Sequence, residues 1–132
     1  MANLTEWKEF GEKKDFKDIS VESFAGKDRW ADKFMRAKYK ELKINQLRNF
    51  FGEIKSIQKN PEIWKNKEEL QDAVSMLQMN LAYDFGRNVI TRDFYDIITA
   101  SLAKVKVEDD FKKFVVFIQS LIAYHKFHST EK

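Results

Sequence analysis

Apolar residues recur at steps of three and four through most of the chain, with polar residues between them. That period marks helix rather than strand. The clearest stretch is residues 108–126, where Phe111, Phe114, Val115, Ile118, Leu121 and Ile122 share one face. Glu108, Asp109 and Asp110 stand at its first turn and Lys126 at its far end, as the helix dipole favours. Phe117 and Tyr124 carry the apolar surface round a second side. A helix apolar on two sides is expected to be enclosed by its neighbours.

Four further helices follow from the same pattern. The first spans residues 26–42, with Trp30, Phe34, Ala37, Met35, Tyr39 and Leu42 inward. The second spans residues 45–59, capped by Asn45, with Leu47, Phe50, Phe51, Ile54 and Ile57 on its apolar face. Asn60-Pro61 ends it, because a residue before proline avoids the helical region. The loop PEIWKNK then leads to a helix over residues 66–86, capped by Asn66 and closed by Gly86 as a left-handed residue. Its seam is Leu70, Val74, Leu77 and Leu81, widened by Met76, Met79 and Tyr83, which predicts a central position. A helix over residues 91–105 is capped by Thr91 and buries Phe94, Ile97, Ile98, Leu102 and Val105. The tail from His128 is expected to fray. Residues 1–24 read as an N-terminal arm, with a short helix from Thr5 to Lys13 and with Trp7, Phe10, Phe16, Ile19, Val21 and Phe24 as docking residues. The expectation is one all-α domain, a compact bundle of about five helices over residues 25–132.

Composition sharpens this picture. The chain has 132 residues, 43% hydrophobic and 34% charged, enough to bury a core without metal or disulfides. Four Gly and one Pro leave little punctuation for many short strands. With no Cys, disulfides and thiolate sites are excluded, which fits a reducing cytoplasm. The first residues lack the apolar core of a signal peptide, and no run is long enough to span a membrane.

The net charge of +3 is unevenly spread. Residues 1–26 carry −2, residues 27–67 carry +7 and residues 68–132 carry −2. A basic middle on a near-neutral background suits a polyanion. Arg29, Lys33, Arg36 and Lys40 form one basic stripe; Arg48, Gly52, Lys55 and Lys59 repeat the same four-three-four spacing. Gly52 in mid-helix costs about 1 kcal/mol against Ala. Either close packing between helices or the close approach of another chain between two cations would account for it.

The chain holds no nucleophile motif, phosphate-binding glycine loop or metallohydrolase motif. His125 and His128 lie on one helix side, without a third ligand at a suitable spacing. His125 is expected to pack at the bundle end and hydrogen-bond a neighbour, and neither histidine to hold metal or move protons. No cofactor is implied. Lys and Arg would neutralise phosphates, and Trp30, Phe34, Trp64 or Tyr83 would stack bases if exposed.

Three segments carry a resemblance. KINQLRNFFGEIKSI (residues 43–57), LAYDFGR (81–87) and FKKFVVFIQSLIAYHKF (111–127) resemble, in that order, the small subunit of type III-A CRISPR effector (Csm) complexes. The likeness covers about residues 27–127 and leaves residues 1–24 outside. It implies a five-helix, non-catalytic domain stacked in copies along a ribonucleoprotein. Such copies face the backbone subunits, the large polymerase-like subunit and the channel of guide RNA and target RNA. Sequence reading is then left to base pairing, by analogy with other guided effectors. The resemblance carries RNA contact to Arg48, Arg87 and Lys126. Helical spacing adds Lys55 and Lys59, and then the stripe of Arg29, Lys33, Arg36 and Lys40. The alternative is a helical adaptor whose basic face meets an acidic protein.

Overall fold

A computed structural model describes residues 15–130. Among these residues there is no strand, and five helices of nine or more residues form the bundle. The helices are α1 (Val21–Ala25), α2 (Trp30–Lys38), α3 (Ile44–Gln58), α4 (Pro61–Trp64), α5 (Lys67–Gly86), α6 (Arg92–Leu102) and α7 (Glu108–Thr130). Turns of 3-10 helix lie at Phe16–Asp18 and Tyr39–Glu41. The expected helix over residues 1–13, with Trp7 and Phe10, lies outside the described residues.

The enclosed helix is α7. Phe111, Phe114, Val115, Phe117, Ile118 and Leu121 are all buried along it. Phe117 meets Phe24 edge-on at 5.3 Å and stacks with Trp30 at 5.7 Å. Polar atoms tie the sheath to the same helix. Lys113 Nζ donates to the carbonyls of Phe16 and Ile19 at 2.7 and 2.6 Å. Tyr124 Oη donates to Ala25 O at 2.7 Å. These bonds span almost the whole described chain, so its start is held against its end. Phe16, Ile19 and Phe24 are buried; Phe24 docks from the short helix α1, not from extended chain, and Val21 stays exposed.

Local chemistry moves several boundaries. The first long helix begins at Trp30 and not at residue 26, because Asp28 takes a positive φ of 60°. Asp32 Oδ2 accepts from the Asp28 N–H at 2.8 Å and steadies that turn. The helix then tightens to 3-10 geometry at Tyr39. Helix α3 starts at Ile44 with Lys43 outside it, so Asn45 lies within the first turn and is not the cap. Pro61 opens α4 where a loop was expected, since its fixed φ suits a first helical position. Asn66 and Thr91 cap as expected, accepting from Glu69 N at 3.0 Å and Phe94 N at 3.3 Å. Gly86 remains helical; the left-handed residue is Asn88, with φ 62°. Helix α6 ends at Leu102, three residues short of the expected end. The expected fraying at His128 is corrected too: α7 continues to Thr130, and His128 is buried.

Candidate nucleic-acid interface

Helix α3 buries Leu47, Phe50 and Ile54. A helix turns about 100° per residue, so Arg48, Gly52, Lys55 and Lys59 fall within about 60° of arc on the opposite side. All four are exposed. From Arg48 to Lys59 the stripe rises about 16 Å. Among the described residues, Arg48, Lys55 and Lys59 form no ion pair. Lys55 Nζ lies 5.4 Å from the Phe51 ring centroid. Lys55 and Lys59 also stand at the α3 C-terminus, where the dipole favours cations. A Cβ built on Gly52 would meet nothing within 4 Å. Close helix packing therefore does not account for this glycine, and the space beside it is open.

A groove separates α3 from α5. Glu53, Ser56, Ile57, Ala73, Met76, Leu77 and Asn80 line about 310 Å³. Asn80 Nδ2 donates to Glu53 Oε1 at 3.1 Å across it. Burial pushes the Glu53 carboxyl above its usual range, the Asp84 charge adds to that, and the Asn80 bond opposes it. The pairing of 53 with 80, and of 56–57 with 73–77, makes the two helices antiparallel. Arg48 and Arg87 thus lie toward the same end of the groove. Arg87 places its guanidinium 5.2 Å from the Tyr83 ring centroid and makes no ion pair among the described residues.

The α2 stripe is electrically different. Arg29 Nε meets Glu22 at 2.6 Å, and Arg36 meets Asp28 at 2.7 Å and Asp32 at 3.4 Å. Lys33 is half-buried. Lys40 lies 6.0 Å from the Tyr39 ring centroid. Acid partners offset the charge of Arg29 and Arg36, so this stripe offers less to an anion than α3 does. Lys126 is exposed on α7, which packs on both α2 and α3. Of the four aromatic candidates, Trp30 and Phe34 are buried and stack on each other at 5.0 Å, so neither reaches a base. Trp64 is half-buried, with Lys65 and Lys112 each 5.5 Å from its ring centroid. Tyr83 is 64% exposed, as are Met76 at 57% and Met79 at 58%. The wide seam expected for α5 is thereby corrected: its seam is narrow, and these three face outward.

The histidines have separate partners. His125 Nε2 donates to Leu42 O at 2.7 Å, and its buried Nδ1 has no hydrogen-bond partner among the described residues. His128 Nε2 meets Asp32 Oδ1 at 2.6 Å, with both side chains over nine-tenths buried. Burial alone would push the Asp32 carboxyl up. The Asp28 N–H, His128 and Arg36 outweigh it and hold the carboxyl below its ordinary value. This pair borders a cavity of about 560 Å³ with Lys27, Arg36, Tyr124 and Phe127. No group of three or more metal-ligating side chains occurs among the described residues.

One basic cluster escaped the sequence pattern. Lys17, Lys67, Lys104 and Lys106 gather in a cleft of about 370 Å³ with Asp15, Asp109 and Asp110. They come from distant segments, so no periodicity connects them. No helix of the described residues is long and apolar enough to cross a membrane.

The fold and this face define a small, strandless all-α domain with a basic outer stripe. A family model described as Csm2 Type III-A matches residues 24–131. The chain belongs to that family, the small subunit of type III-A CRISPR Csm complexes. No curated protein and no solved structure matches it.

Proposed function

We propose that this small subunit is a non-catalytic, cytoplasmic component of its complex that lines the channel of guide RNA and target RNA. It holds phosphates through α3 and leaves sequence reading to base pairing. Arg48, Lys55 and Lys59 are the primary contacts. Arg87 stands across the groove at the same end as Arg48, and Lys126 and the α2 cations contribute from a second side. Backbone subunits, the large polymerase-like subunit and stacked copies of the chain are its protein partners.

One observation carries this reading: a stripe of unpaired cations on α3, with a bare glycine among them, while Arg29 and Arg36 are offset by acids. Cations aligned without partners gain most from a repeating anion, and such contacts carry no sequence information.

The test is Arg48→Glu combined with Lys55→Glu, assayed for single-stranded RNA binding and for RNA retained by the assembled complex. Binding should fall at least tenfold, and far-UV circular dichroism should stay unchanged. Parent-like RNA binding by the double variant would reduce the stripe to solvated surface. A parent chain that binds polyglutamate but not RNA would favour an acidic protein partner instead.

A further inference from the structure

The cavity of about 560 Å³ at the end of α7 has no part in the α3 stripe, since none of its lining residues belongs to that helix. It lies where the turn before α2 meets the last turns of α7. Lys27 stands at its lip, Asp32 and Arg36 come from α2, and Tyr124, Phe127 and His128 come from α7. Three hydrogen bonds fix this frame. Tyr124 Oη donates to Ala25 O at 2.7 Å, the Asp28 N–H donates to Asp32 Oδ2 at 2.8 Å, and His128 Nε2 meets Asp32 Oδ1 at 2.6 Å. A frame held by its own bonds needs little ordering when a ligand arrives.

The walls are selective in what they offer. The Asp32 carboxylate is over nine-tenths buried and already takes donors from the Asp28 N–H, His128 and Arg36. It has little left for a cationic ligand or a sugar hydroxyl. Lys27 is exposed and forms no ion pair or hydrogen bond among the described residues, while Asp28 beside it pairs with Arg36. Two cations against one carboxylate leave the lining positive. The rest of the surface is aromatic. Phe127 is 53% exposed, and its ring and that of Tyr124 lie 5.0 and 6.5 Å from the His128 ring, centroid to centroid. Open aromatic faces beside an unpartnered ammonium suit a flat anion.

We propose that this cavity binds one nucleotide, with its base against Phe127 and Tyr124 and its phosphate on Lys27. The volume falls within the ~300–1,000 Å³ of small-molecule sites, which are likewise mostly apolar with a few convergent polar groups. Stacking on aromatic rings tolerates every base, so the site takes a nucleotide without reading it. The nucleotide is either a free mononucleotide or an unpaired one in an RNA strand; a base held in a duplex does not enter. The phosphate contacts of α3 require no such pocket, so this inference stands or falls apart from them.

The test is isothermal titration calorimetry with AMP, adenosine and inorganic phosphate, followed by competition between AMP and a single-stranded RNA hexamer. AMP should bind one per chain, with a dissociation constant on the order of 100 µM. Lys27→Ala should weaken AMP at least fivefold and adenosine hardly at all. Phe127→Leu keeps apolar volume but removes the flat ring, and should weaken both at least fivefold with unchanged circular dichroism. A hexamer that displaces AMP would support the proposal with an RNA strand as the source. AMP binding that the hexamer leaves intact would support it with a free mononucleotide as the source. The proposal would be overturned if neither AMP nor the hexamer bound saturably up to millimolar concentration, or if AMP affinity ignored both substitutions. Inorganic phosphate competing as well as AMP does would also overturn it, by reducing the site to a surface lysine.

Discussion

Asp32 is the residue at which the sequence is least informative and the structure most specific. Asp32 directly precedes Lys33 in the α2 basic stripe, yet its carboxylate is buried between Asp28 N, Arg36 and His128. Its partner comes from the opposite end of the chain, beyond the reach of any helical period. Because the folded state lowers its pKa, its contribution is fully present above the unfolded value near 4. It is lost as pH falls through the lower folded value. Asp32→Asn should cost about 3 kcal/mol at neutral pH by leaving the pair broken. It should also flatten the acid limb of a thermal-midpoint profile taken from pH 7 to pH 2. An unchanged acid limb would show that the carboxylate does not titrate with folding. Gly52 is the converse case. Its open surroundings mean that Gly52→Ala should stabilise the isolated chain by about 1 kcal/mol, through helix propensity alone. That is a rise of about 4 °C in midpoint. The same methyl group should weaken RNA binding, because it stands where a phosphate backbone would come close. A variant that is more stable and binds equally well would leave the glycine without a binding role.

At the scale of elements, hydrophobic period carried most of the legible information. The five long helices, the capping by Asn66 and Thr91 and the enclosure of α7 by its neighbours all follow from spacing and cap chemistry. Boundaries were legible where a side chain closes on its own backbone. They were not where tertiary contact decides: the α2 start depends on the Asp28 turn held by Asp32, and the last turns of α7 on the burial of His128. The width of the α5 seam was misread for a related reason. Met and Tyr count as apolar in a periodic pattern, but only packing tells a core position from an exposed one. Asn66→Ala tests the cap directly. It removes the acceptor for Glu69 N and should cost about 1 kcal/mol, read as a lower urea midpoint at unchanged slope. A midpoint equal to the parent's would mean that water satisfies that N–H equally well.

At the scale of the whole molecule, charge and sequence agree only in part. The +7 of residues 27–67 covers both α2 and α3. It did not separate α3, whose cations are open, from α2, where acids one to two turns away offset two of them. Partners of that kind lie off the stripe and show only when the chain is folded. The salt dependence of RNA affinity measures the open set. Losing Arg48 and Lys55 as two phosphate contacts should reduce the slope of log affinity against log salt by about 1.4. A slope that does not change would remove those two residues from the interface even if affinity fell.

The position of α7 bears on how the chain is made. Residues 16–64 wrap a helix that lies at the far end of the sequence, so they leave the ribosome before the element they enclose exists. Until Phe111–Leu121 emerge, Phe24 and Trp30 lack the Phe117 ring they pack against. The nascent polypeptide must remain open, its apolar faces available to chaperones, and tertiary structure closes late, around the last helix. A translation pause ahead of residue 108 would prolong that vulnerable interval, whereas a pause within the first hundred residues would not let a folded intermediate form early.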